Sequence, residues 1–217
     1  MSEESWPWLT LALLGAYHGL NPAMGWLFAV ALGLQEQRRS AVLQALPPIA
    51  LGHATAISVA VLVIGVAQIM VPLDVLRYVC AITLIVFGLY KLVRRRHPRW
   101  VGMRVGFRDL TVWSFLMASA HGAGLMLIPV LLGLSSEQML GAHAHGGHHA
   151  SMSGSATALT DFAVVGLHTL AMFAVMGTIA VLVYEKLGLM ILKRTWFNID
   201  LLWAAALMAA GIITLFV

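Results

Sequence analysis

The sequence predicts an all-α integral membrane protein of six transmembrane helices, and three observations carry that prediction. The first is composition. Of 217 residues, 60% are hydrophobic and only 10% charged, with a mean hydropathy of +0.89, whereas a soluble domain carries about a quarter charged residues. The second is that the apolar residues fall into six runs, each long enough to cross roughly 30 Å of hydrocarbon, which takes about 20 helical residues. The third is the placement of the basic side chains between those runs.

Taken in order, the runs lie near residues 8–34, 44–71, 75–93, 110–134, 158–184 and 198–217. The first follows an acidic start, MSEESWPWLT, that lacks the basic region of a removable signal, so none is expected. It carries GAYHGLNPAMGW at its centre. The polar connector QEQRRS leads to the second run, and VPLD joins the second to the third tersely enough to imply a tight hairpin. The third run ends at the basic stretch KLVRRRHPRWVGMRVGFRD. The fourth gives way to SSEQMLGAHAHGGHHASMSGSATALTD, and EKLGLMILKRTWFN divides the fifth from the sixth. Trp6, Trp8, Trp100 and Trp196 fall near the expected membrane edges, where amphipathic rings anchor a helix. Cys80 is the single cysteine, so neither an intrachain disulfide nor a CxxC pair can form.

Every Lys and Arg except Arg77 lies in or beside the first, third or fifth connector: Arg38 and Arg39, then Lys91 to Arg108, then Lys186, Lys193 and Arg194. Positive charge marks the cytoplasmic side, so both termini and the histidine-rich loop are expected outside. The net charge of +4 is then a matter of topology, and no nucleic-acid partner is expected. The implied location is a bacterial-type cytoplasmic (inner) membrane, with the histidine-rich loop on its external or periplasmic side.

The chain divides into two three-helix halves, residues 1–100 and 101–217, the second containing the outer loop 135–157. GAYHGLNPAMGWLFAVALGL lies over ASAHGAGLMLIPVLLGLS, and LGHATAISVAVLVIG over GLHTLAMFAVMGTIA. That register sets His18 on His121 and His53 on His168. An odd number of spans per half forces the second half to run opposite to the first, giving a 3+3 inverted repeat. Pro22 and Pro129 follow the first pair of histidines and are each expected to free backbone carbonyls at depth.

Counting at 1.5 Å per residue puts all four histidines roughly 15 Å deep, near the midplane. Ionisable groups at that depth mark function by default, and neutral imidazole is the commonest protein ligand for divalent transition metals. His18, His53, His121 and His168 are therefore the candidate metal ligands. Asn21, Pro22 and Met24 are the candidate lining of a substrate pathway. Small residues flank each histidine (Gly15 and Gly19, Gly52 and Ala54, Ala120 and Gly122, Gly166 and Thr169) and permit close helix approach. No Asp or Glu lies deep in any run. AHAHGGHHA supplies His143, His145, His148 and His149 in a Gly- and Ser-rich loop, a composition that chelates metal loosely.

GAYHGLNPAMGW resembles the first-helix signature of the nickel/cobalt transporter group of the lysine-exporter superfamily, in which the corresponding stretch reads HGLEPGH or HALDADH. His18 matches the first motif histidine and Pro22 the proline, whereas Asn21 stands where the family has an acid and Met24 falls near its second histidine. The resemblance covers about the first 60 residues closely and the remainder in outline. It implies movement of a divalent cation across the membrane.

The function expected is transport of a transition-metal cation (Ni, Co, Zn, Fe or Cu) past a midplane histidine site. The alternative is a membrane cytochrome using the four histidines as axial ligands of b-type haem. Catalysis is not expected, since histidine-rich oxidase sites bring clustered motifs and carboxylates. The expected partners are the lipid bilayer and the metal substrate, and a homo-oligomer is compatible with this reading.

Overall fold

The computed structural model describes residues 6–93, 106–133, 153–187 and 199–216. Among these, the ordered elements are all helical: α1 (Trp6–Leu20), α2 (Trp26–Glu36), α3 (Arg39–Met70), α4 (Leu73–Val93), α5 (Phe107–His121), α6 (Leu125–Gly133), α7 (Ser153–Leu182) and α8 (Ile199–Thr214). A 3₁₀ turn over Pro22–Met24 separates α1 from α2, and α7 continues through a π turn over Val183–Leu187.

Among the described residues, three helices are long and apolar enough to cross a membrane: Arg39–Met70, Leu73–Val93 and Leu159–Lys186. The pair α5 and α6, bent by 52° at the break between them, makes a fourth candidate span, and Trp26–Glu36 and Ala204–Thr214 are shorter apolar helices. Their outward faces are apolar, as contact with lipid requires. Leu62, Ile82, Leu116, Phe162 and Leu170 are all exposed. The fold is consistent with a membrane protein.

The helices associate in three principal pairs: α1 on α7, α3 on α5 and α4 on α8, with α2 set against α3 and α7. Small residues allow these approaches, since apolar side chains gain little from leaving lipid and tight backbone packing must supply the attraction. A Cβ at Gly15 would strike the His168 carbonyl, and one at Gly19 the Met172 carbonyl, so α1 lies almost backbone to backbone on α7. Gly52 stands in the same relation to the Thr111 carbonyl of α5, and Gly88 to Ala204 and Met208 of α8.

Two expectations of packing are corrected. Val71 and Pro72 join α3 to α4 as tersely as the sequence implies, yet the two arms barely touch. A short connector fixes the distance between helix ends and leaves the axes free to diverge toward better partners. Gly166, expected to admit a neighbour beside His168, has nothing within 4 Å of where its Cβ would stand. Arg39 at the start of α3 pairs with Glu185 at the end of α7 at 3.1 Å, which brings the first and fifth connectors to one face. Cys80 is buried, within the larger of two apolar clusters.

Candidate metal centre

His18 occupies the last turn of α1, immediately before the chain breaks. Its Nδ1 lies 2.7 Å from the Leu14 carbonyl oxygen. A carbonyl can only accept, so Nδ1 carries the hydrogen, and in the neutral ring Nε2 keeps its lone pair for a ligand. The break itself is built locally. Asn21 caps the 3₁₀ turn, its Oδ1 accepting from the Ala23 N–H at 3.0 Å, and Pro22 follows at the position that needs no N–H. Gly25 then turns the chain with φ of 126°, a conformation open to glycine and strained for other residues. The Trp26 indole reaches back across the break and donates to the Leu20 carbonyl at 3.1 Å, satisfying an acceptor the helix has lost.

His53 lies midway along α3 and His168 midway along α7. Both are fully buried, as is His18. His53 has no hydrogen-bond partner for either ring nitrogen among the described residues. His168 stands beside the Leu11 carbonyl without well-formed hydrogen-bond geometry.

These three rings converge. The centroids of His53 and His168 are 5.7 Å apart with planes inclined by 5°, while His18 meets them edge-on at 5.4 Å and 4.9 Å. One nitrogen from each ring lies within 4.8 Å of the others. A four-coordinate zinc-like ion at about 2.1 Å from each nitrogen holds them about 3.4 Å apart. Side-chain adjustments of about an ångström therefore close the trio on a cation. No carboxylate and no thiol belongs to the group, and among the described residues no other three such ligands converge. Leaving a buried polar nitrogen unpaired is unfavourable unless something else uses it. Three convergent imidazole nitrogens are able to hold a cation.

His121 ends α5, buried, with Nδ1 on the Met117 carbonyl at 2.8 Å. It is near enough to His18 to be coupled to it electrostatically, yet it stands outside the trio. The expected four-ring site is three rings plus one adjacent. The break after His121 is a glycine device: Gly122, at φ of 69°, sends its N–H to Ser119, and the Ala123 N–H returns to Ala118. Pro129, expected to open this helix, lies instead in the first turns of α6, where a missing N–H is tolerated.

Of the expected pathway residues, Asn21 and Met24 are buried and Asn21 and Pro22 are accounted for by the turn they build. Met24 packs in the larger apolar cluster. His143, His145, His148 and His149 lie outside the described residues. Two site-shaping contacts escaped sequence reasoning. One is the pair of carbonyls, Leu14 and Met117, that fix the tautomers of His18 and His121. The other is Ser114, whose Oγ donates to the Ile49 carbonyl at 2.6 Å and ties α5 to α3 one turn from His53. No family model, curated protein or solved structure matches this chain.

Proposed function

We propose that the protein is a secondary transporter for a divalent transition-metal cation, with His18, His53 and His168 as the station the ion occupies midway. The observation that carries this reading is the convergence of three buried imidazoles from helices distant in sequence, each with a nitrogen able to ligate. A site of neutral rings without a carboxylate leaves the ion's charge uncompensated, which favours transient occupancy over storage. The absence of a carboxylate general base within the trio supports carriage over catalysis.

The architecture proposed with it is six spans, in which α1 with α2 and α5 with α6 are two broken spans. The halves 1–100 and 101–217 are related as an inverted repeat. Exchange of the halves sends the pair α1–α7 onto α5–α3 and returns α4–α8 to itself, and these are the three principal pairings. Broken helices at the repeat interface, near mid-depth, are where transporters place their substrate. The distribution of Lys and Arg supports placing the termini and the histidine-rich loop outside a bacterial-type inner membrane. The likeness of GAYHGLNPAMGW to the nickel/cobalt transporter signature points to the same class of cargo.

The haem alternative loses ground on geometry. Three rings within 5.7 Å of one another leave no slot for a macrocycle between any two of them, since the third ring occupies its edge. Metal analysis of protein purified without chelators, alongside its visible spectrum, tests the reading. Transition metal that the His53→Ala chain fails to retain is the expected result. A Soret band on a chain lacking other metal would overturn it.

A further inference from the structure

His18 and His121 share more than an aligned position. Each closes the first part of a broken span, and each sets Nδ1 on the carbonyl four residues back, at 2.7 Å and 2.8 Å. Each is followed by a 3₁₀ turn and by a glycine at positive φ, Gly25 and Gly122. In both rings the nitrogen left to ligate is therefore Nε2, presented at the end of the same kind of support. The register that superposes them exchanges His53 with His168. The two rings of that pair lie nearly parallel, an arrangement a two-fold axis between them permits.

We propose that His18 and His121 are alternative third ligands to one central pair, His53 and His168. The trio seen here is one end state of the transport cycle, and a trio of His121, His53 and His168 is its counterpart, open toward the opposite side of the membrane. This rests on the transport reading above and says how the ion changes sides: the central pair keeps hold while one outer ring replaces the other.

The two outer helices are held differently in this state, as an asymmetric end state requires. The α1 backbone is seated on α7 through Gly15 and Gly19, which brings His18 into the trio. The α5 helix is seated on α3 through Gly52 and the Ser114–Ile49 hydrogen bond, which leaves His121 beside it. The positions equivalent to Ser114 and Ile49 are Leu11 and Val164, both fully buried in one apolar cluster, so the corresponding contact of α1 with α7 has no such tie. An apolar contact in one half and a hydrogen bond in the other give the two interfaces different grips on the same motion.

Full-length protein with Co²⁺ as the probe tests this, by binding in nanodiscs and by flux into proteoliposomes. Asparagine at either outer position keeps a donor for the Leu14 or Met117 carbonyl while removing Nε2, so His18→Asn and His121→Asn preserve the local fold. Each single variant is expected to keep Co²⁺ affinity within about tenfold, because one three-histidine state survives, and to lose more than about tenfold in flux. The double variant is expected to lose affinity by about a hundredfold or more, as His53→Asn does. Wild-type binding and flux in His121→Asn would overturn the exchange, as would a His18→Asn chain that binds no better than the double variant. Unaltered Co²⁺ binding by His53→Asn would instead reject the central site itself. On the unaltered chain, oxidation by Cu²⁺ and ascorbate should mark His121 along with the trio, and sparing of His121 alone would also overturn the proposal.

Discussion

The helix ends that carry His18 and His121 present the two rings alike and bring them to different places. His18 and His121 each end a helix on a carbonyl four residues back, before a turn and a left-handed glycine. Only His18 enters the trio. What separates them is the neighbour. Both helices pack with glycine against carbonyl, but α1 lies on α7 through its own Gly15 and Gly19, whereas α5 lies on α3 through Gly52 of α3 and is tied there by the Ser114 hydroxyl. Local sequence sets which way an imidazole presents its lone pair, and how its helix is seated on the neighbouring one sets whether that lone pair arrives at the centre.

The strongest way to break this comparison is to move α1. A leucine at Gly15 puts its Cβ into the His168 carbonyl, which is backbone and cannot yield as a side chain would. Gly15→Leu is expected to push α1 away from α7 and to displace His168, a central ligand, along with His18, so that Co²⁺ binding in titrations of the folded protein is lost beyond what His18→Asn alone gives. Ala118, which the sequence register of His18 on His121 sets against Gly15, is fully buried but already carries a Cβ. Ala118→Leu is expected to destabilise by overpacking, about 1–3 kcal/mol in unfolding measurements, while the trio continues to bind Co²⁺. Equal loss of binding in the two variants would show that the seating of α1 on α7 is not what distinguishes the two helices.

A smaller effect sharpens the comparison from the other side. Ser114→Ala removes the hydroxyl that ties α5 to the Ile49 carbonyl. Hydrogen bonds between membrane helices average about 0.6 kcal/mol and reach about 1.7, so a loss of about 1 kcal/mol in unfolding is expected, with Co²⁺ binding by the trio retained. Asn21→Ala removes the cap of the first break and should cost a similar amount, about 1 kcal/mol. Its effect on binding should be larger than that of Ser114→Ala, because the turn it caps directly follows His18.

Much of this was legible in the sequence. The all-helical character was legible, since length and hydropathy are properties of each run alone, and Pro22 marked the first break; of the six expected spans, three to four are long and apolar enough among the described residues. Three of the four candidate ligands, His18, His53 and His168, do converge. The exclusion of His121 was not legible because counting residues gives depth along a helix and says nothing of lateral distance between helices. Pro129 is expected to free carbonyls at depth, yet the break after His121 is made by Gly122; glycine acts by adopting a conformation, which leaves no mark as strong as a missing N–H. Ser114 was invisible for a related reason. A hydroxyl in an apolar helix usually bonds its own backbone, as Thr55, Thr83 and Thr111 do at the carbonyl four residues back, and only packing against α3 offers Ser114 the Ile49 carbonyl.

The smallest expected effect comes from the connectors that follow the two breaks, which lead to unlike stretches of chain. The first break leads through α2 to the arginines at 38 and 39, and Arg39 is held by Glu185. The second leads through α6 toward the stretch holding His143, His145, His148 and His149, with glycines among them. A Gly- and Ser-rich segment that chelates must give up conformational freedom to close on an ion, at roughly 1–2 kcal/mol per residue fixed, and is therefore expected to bind weakly and to gather ions without retaining them. Removing residues 142–150 should therefore leave the affinity of the trio unchanged. Initial flux at limiting Co²⁺ should fall by only about two- to threefold, through the lost local concentration of ions, and the difference should vanish when Co²⁺ is saturating. A deletion that lowered flux equally at every concentration would place the loop within the path of the ion, and the unlike connectors would then be part of the transport step itself.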